Sequence, residues 1–174
     1  MHSWQKPLTR ISLMLTLLFS LCTTMNASAG ATAENIYLPI HSLTPGAIDS
    51  AVTQSNISTT ICVLGYTKTV RPPVSYTTPL KRAQLAGSYS RYNDLMTKDF
   101  EEDHLIPLEL GGAPKNPKNL WPEPWNGSAG ARMKDRLENK LHLLVCSQQL
   151  SLATAQRAIS VNWLSAYSKY VLNN

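Results

Sequence analysis

Two cysteines in the body of this chain, Cys62 and Cys146, stand 84 positions apart, and the segment ahead of them reads as an export signal. Lys6 and Arg10 supply a positive start, Ile11 to Cys22 an apolar stretch of signal-peptide length, and Ala27-Ser28-Ala29 the small-x-small pattern a signal peptidase cuts. A membrane anchor is the alternative, disfavoured by the short apolar run. A lipoprotein reading of Cys22 fails because Leu21 sits where a lipobox needs a small residue. Cleavage after Ala29 removes Cys22 and leaves two thiols bound for an oxidising compartment, where a pair is expected to be bridged. A Cys62–Cys146 bridge ties the start of the domain to its end, and the chain-entropy model gives such a closure about 4 kcal/mol. No Cys-x-x-Cys or Cys-x-x-His spacing accompanies them, which argues against a metal held by these two alone.

The remaining chain, from Gly30, suffices for one compact domain. At 43% hydrophobic and 16% charged residues the full sequence is too apolar for the disordered class, and its 8 Gly with 11 Pro exclude a collagen-like or low-complexity chain. No apolar run after residue 30 is long enough to span a bilayer as a helix. The formal charge is +5 for the whole chain, and without Lys6 and Arg10 it is 14 basic against 11 acidic residues, net +3. That permits an anionic partner without demanding one.

The expected organisation is a signal peptide over residues 1–29, a flexible segment over 30–45 and a single domain over 46–174. Residues 46–70 carry β-branched runs, notably Ile57 to Val63, and predict short strands and turns. Arg71-Pro72-Pro73 is extended, and Leu80 to Ala86, after Pro79, predicts a short helix stopped at Gly87. Around residues 99–125, two short extended segments flank a loop of Gly111, Gly112, Pro114, Asn116 and Pro117, which predicts a β-hairpin with a long compact connection. Met133, Leu137, Leu141, Leu144 and Val145 recur at helical spacing. A second helix, capped by Ser151, carries an apolar stripe of Leu152, Ala155, Ile159, Trp163, Tyr167 and Tyr170. Both stripes read as core. The fold class is therefore α+β, with additional short strands and a C-terminal helix.

One constellation carries chemistry. Asp103-His104, Pro107-Leu108, Gly111-Gly112 and Asn119-Leu120 follow the order D-H-x-x-P-L-x-x-G-G-x(6)-N-L and precede a helix. This pattern resembles the HNH family of nucleases, which share a ββα-metal fold; the match is tight over residues 99–121 and follows the hairpin-then-helix layout to about residue 145. The mature chain also looks, more loosely, like a group of small exported bacterial proteins with this motif. The resemblance implies a metal-dependent endonuclease in which His104 is the general base, suited by an imidazole pKa of ~6.5. It implies Asp103 as a ligand of the divalent ion and Asn119 as the amide that ties the loop and orients the base. On a regular strand Asp103 and His104 face opposite ways, so a shared role calls for a twist or bulge.

The chain departs from the pattern where HNH proteins place a closing His or Asn at the start of the helix. Asn126 is the like-for-like candidate for that second ligand. Helix positions Asp135, Glu138 and His142 are the alternatives, Glu138 being equally placed to pair with Lys134 one turn earlier. Magnesium is the expected ion, with manganese the alternative. The zinc-binding Cys-x-x-Cys pairs of some HNH proteins are absent, and no structural zinc is expected. Lys115, Lys118 and Arg71 are the first candidates for phosphate contact. Trp121 and Trp125 offer rings for base stacking, with packing between prolines the competing role. No sequence-reading motif is visible. The expected partner is nucleic acid, DNA ahead of RNA, met in the periplasm or outside the cell. The rival is a non-catalytic exported binding module that retains the HNH-like fold; nothing in the sequence identifies an inhibitor protein.

Overall fold

The computed structural model describes residues 35–92 and 96–173, with Met1, His2 and Trp4. The chain divides into two compact units, Met1–Ala33 and Glu34–Asn174. The signal-peptide reading of residues 1–29 falls, apart from those three positions, outside the described residues. Among the described residues no helix is long and apolar enough to cross a membrane.

The second unit is mixed helix and strand, as an α+β chain should be. Among the described residues the α-helices are α1 (Tyr66–Val70), α2 (Val74–Ala86), α3 (Ala131–Cys146) and α4 (Leu152–Tyr167). Two strands, β1 (Phe100–His104) and β2 (Leu120–Pro124), form an antiparallel pair in continuous register from Phe100↔Pro124 to His104↔Leu120. α2 packs against β1 and β2, α3 reaches the hairpin through the Lys134 side chain, and α3 packs against α4.

Residues 46–70 do not form the short strands expected of them. Gln54–Thr59 is a 3₁₀ helix, α1 follows, and only an isolated bridge, Ile48↔Gly112, has strand character. The β-branched run misleads because Ile57 and Ile61 lie one helical turn apart and both are buried. Meanwhile Asn56 Oδ1 accepts from the Thr53 amide at 2.8 Å and Thr60 Oγ1 donates to the Asn56 carbonyl at 2.8 Å, a local network that competes with a ladder. Residues 35–45, expected to be flexible, dock on the core instead. Trp163 Nε1 donates to the Tyr37 carbonyl at 2.7 Å, Tyr92 Oη to that of Ile36 at 2.9 Å, and Thr44 is fully buried.

α2 starts at Val74, six residues before the position the sequence suggested, and runs through Pro79. The backbone bond Pro79 cannot donate is offset by anchoring to the hairpin. Lys81 Nζ donates to the Phe100 carbonyl at 2.6 Å and Gln84 Nε2 to the Leu120 carbonyl at 2.9 Å. α4 is broken at Asn162, whose φ of −164° and ψ of 97° are extended. Its Oδ1 accepts from the Ser165 amide at 3.0 Å and so caps the restarted helix. The apolar stripe survives the break, and Ile159, Trp163, Tyr167 and Tyr170 are all buried.

The core gathers Phe100, Leu105, Leu110 and Trp121 from the hairpin with Leu137, Leu141, Ile159 and Trp163 from the helices. Cys62 and Cys146 are bonded, clamping the turn before α1 to the last residue of α3.

Candidate functional site

The hairpin connection, residues 105–119, is shaped by its own polar groups. Asn119 is fully buried; its Oδ1 accepts from the Ile106 amide at 2.9 Å, and its Nδ2 donates to the carbonyls of Ile106 at 2.9 Å and Ala113 at 3.2 Å. One side chain thus satisfies three backbone groups that no ladder reaches. Gly111 turns the chain with a φ of +71°, and a β-carbon on Gly112 would collide with the Ile106 carbonyl and the Asn119 amide. This closure brings Pro114 over the end of β1, where its carbonyl lies 2.9 Å from His104 Nε2.

A carbonyl only accepts, so His104 Nε2 carries the proton and the neutral ring keeps its lone pair on Nδ1. The ring is 4% exposed, and burial, outweighing the pull of Asp103, holds His104 below its ordinary pKa. It is therefore neutral and able to accept a proton at neutral pH. His104 lines a cleft of about 80 Å³ with Thr67, Arg71, Asp103, Pro107, Leu108, Glu109 and Glu138. The strand pairing runs on without a bulge, so the expected distortion between Asp103 and His104 is absent. Both reach the cleft because it opens at the end of the hairpin.

Opposite His104, alternation puts Glu101 and Asp103 on one face of β1, and the pairing of Glu101 with Glu123 brings a third carboxylate to that face. Oxygens of Glu101, Asp103 and Glu123 lie within 4.8 Å of one another. α3 lays Lys134 and Glu138, one turn apart, against them. The Lys134 ammonium, 1% exposed, donates to Asp103 Oδ2 at 2.5 Å, to the His104 carbonyl at 2.9 Å and to Glu138 Oε1, with Glu123 Oε2 at 3.9 Å.

Protonation follows from this crowding. Burial, aided by the repulsion of Asp103, raises Glu101 to about 8, and burial together with Asp103 raises Glu138 to about 8 against the pull of Lys134. Burial also drives Glu123 well above the usual carboxylate range. Burial would raise Asp103 as well, but the Lys134 ammonium and the bonds it receives hold it below its ordinary value. Lys134 is driven the other way: burial favours loss of its charge, and Asp103, Glu138 and Glu123 together raise it well above the ordinary lysine value. Glu102, turned toward Lys81 and Gln84, is raised to about 8 by burial and then by Asp103.

A divalent ion fits these residues. Four carboxylates, those of Glu101, Asp103, Glu123 and Glu138, face one ammonium, and Glu123 Oε1 is buried with no hydrogen-bond partner. The donors are all oxygen, a set suited to a hard divalent cation. Asp103 and Glu138 keep 20% and 15% side-chain exposure and line the cleft, whereas Glu123 keeps 1% and lies behind it.

Not every expected residue gathers there. Asn126 is exposed beyond the end of β2, where Pro124 pairs with Phe100, the far end of the hairpin from His104. Arg71 lines the cleft; Lys115 and Lys118 are exposed on the connection, outside it. Asp135 is exposed. His142 Nε2 donates to the Ile61 carbonyl at 2.9 Å beside Cys62 and Cys146, whose sulfurs are committed to each other. Trp121 is fully buried and Trp125 is 39% exposed. Lys134, Glu101 and Glu123 were missed as a cluster, although the Lys134–Glu138 spacing and the Glu101/Asp103 alternation were both readable. A larger groove of about 450 Å³ runs along α4, but its lining offers no His, Cys or carboxylate.

Comparison with known proteins gives no matching family model, no match among curated proteins and no match among solved structures.

Proposed function

We propose that this chain is an HNH-type endonuclease of the ββα-metal class, an exported enzyme that hydrolyses nucleic-acid phosphodiester bonds with low sequence specificity. The observation that carries the reading is the shared cleft. A buried, neutral imidazole with its lone pair on Nδ1 stands beside two partly exposed carboxylates, at the junction of a hairpin and the helix that follows it.

In this reading His104 takes the proton from the attacking water at Nδ1. The Pro114 carbonyl fixes the ring through Nε2–H, and the neighbouring Asp103 charge favours the imidazolium once it forms. Asn119 acts through the loop: it holds Ile106 and Ala113 and so keeps Pro114 over the ring. Arg71 and Thr67, on the cleft wall, are the groups placed to contact a phosphate. Asp103 and Glu138 would hold the divalent ion, which when bound supplies positive charge to the phosphate and the leaving oxygen. The net positive charge and the exposed Lys115 and Lys118 suit a polyanion without selecting a sequence.

The test is cleavage of supercoiled plasmid and of structured RNA by the disulfide-intact chain from Gly30, in magnesium, manganese or EDTA, with His104→Ala alongside. Metal-dependent cutting that is lost in the variant supports the reading. No cutting of either polymer together with no metal binding points to the non-catalytic binding module.

A further inference from the structure

Resting on the divalent-ion reading above, we propose that the Lys134 ammonium is a resident competitor for the metal, filling the point where the ion binds and leaving it when the ion enters. Asp103 Oδ2, Glu138 Oε1 and the His104 carbonyl converge on one position, and that position is occupied by Lys134 Nζ. An ammonium has three donors, and here all three are spent on those oxygens. Two carboxylates and a backbone carbonyl, with Glu123 Oε2 at 3.9 Å behind them, are also an ordinary oxygen ligand set for a divalent cation.

The two cations cannot share the position, because like charges a few ångströms apart in a buried setting repel strongly. Asp103 and Glu138 each give Nζ one oxygen, so an ion that draws on those same two oxygens must take the place of the ammonium. Lys134 lies on α3, four residues before Glu138, so its flexible stem can swing while Glu138 stays in place. The metal-free chain is thereby neutralised from within and has no need of an ion to fold. Metal affinity is set by an exchange of cations rather than by filling a void.

The test reads the lysine itself. The wild-type chain, disulfide intact, receives a brief pulse of an amine-acetylating reagent in EDTA or in saturating manganese, and acetylation at Lys134 is measured by peptide mass spectrometry against the exposed Lys115 and Lys118. Exchange predicts almost no labelling of Lys134 in EDTA and a rise of about tenfold or more in manganese. Manganese bound, as read by its paramagnetic resonance signal, with Lys134 still protected overturns the proposal.

Lys134→Met provides the second arm. It should bind manganese about tenfold or more tightly than wild type. If it unfolds in EDTA, it should regain its circular dichroism on adding manganese. Equal or weaker affinity, or failure to recover in manganese, overturns the exchange, as does the absence of binding to both proteins. Lysine displacement without nuclease activity would sink the nuclease reading alone. Nuclease activity with Lys134 protected would sink the exchange alone.

Discussion

Asn119 shows how much one side chain settles in this molecule. Its amide closes the 105–119 connection on Ile106 and Ala113, and that closure sets Pro114 against His104. Asn119→Ala leaves an amide and two carbonyls buried without partners, and should cost about 2–4 kcal/mol of unfolding free energy in denaturant titration. Asn119 and His104 were readable because each belongs to a short ordered pattern with fixed spacing. Glu101 and Glu123 were not, because their meeting depends on the Glu101↔Glu123 register, which a long connection leaves open. Lys134 stood out only as one possible partner of Glu138. That it also reaches Asp103 and the His104 carbonyl is a tertiary fact.

At the scale of elements, hairpin and α3 together form an acidic layer, and its proton uptake makes stability depend on pH. Glu101 and Glu138 in this layer, and Glu102 on the other face of β1, have folded values of about 8, raised in each case first by burial, above their ordinary 4.5. Between these limits the folded chain keeps protons that the unfolded chain has released, so unfolding free energy falls as pH rises from about 5 to 8. His104 acts in the opposite sense: its folded value lies below 6.5, so its contribution is lost on acidification. Three carboxyls outweigh one imidazole, and thermal melts in EDTA should show the midpoint dropping across that window. Manganese should flatten the drop by stabilising the ionised carboxylates; a midpoint that rises with pH in EDTA would contradict this reading of the layer.

The elements themselves were unevenly legible. Hairpin, α3 and α4 followed from turn residues between short extended segments and from helical stripes, each signal being local. The 46–70 segment did not, since its isoleucines are packed one helical turn apart and Asn56 draws the backbone into local bonds. The break at Asn162 was also hidden, because the stripe of buried residues continues past it.

For the whole molecule the Cys62–Cys146 bond is a covalent constraint that joins points 84 residues apart. Replacing both cysteines with alanine should lower the unfolding free energy by about 4 kcal/mol, measured by denaturant titration of oxidised wild type against the double variant. The site should then still form at low temperature, since His104, Asp103 and Lys134 are held by the hairpin and α3 rather than by the bridge. The pairing itself was legible from two thiols and an apparent export signal. The docking of residues 35–45 was not, because Tyr37 and Ile36 are held by their backbone carbonyls, which carry no sequence signature.

His104 is proposed above as the base of a metal-dependent phosphodiesterase. That role is read out by single-turnover cleavage of labelled duplex DNA in manganese, by wild type and His104→Ala, across about pH 5 to 9. The wild-type rate should rise with pH and level off by about pH 7, because burial keeps the His104 pKa below 6.5. The His104→Ala rate should be about 10²–10⁴-fold lower and lack this titration, with manganese still bound. Cleavage by His104→Ala at the wild-type rate, or no cleavage by the wild-type chain, would contradict that role.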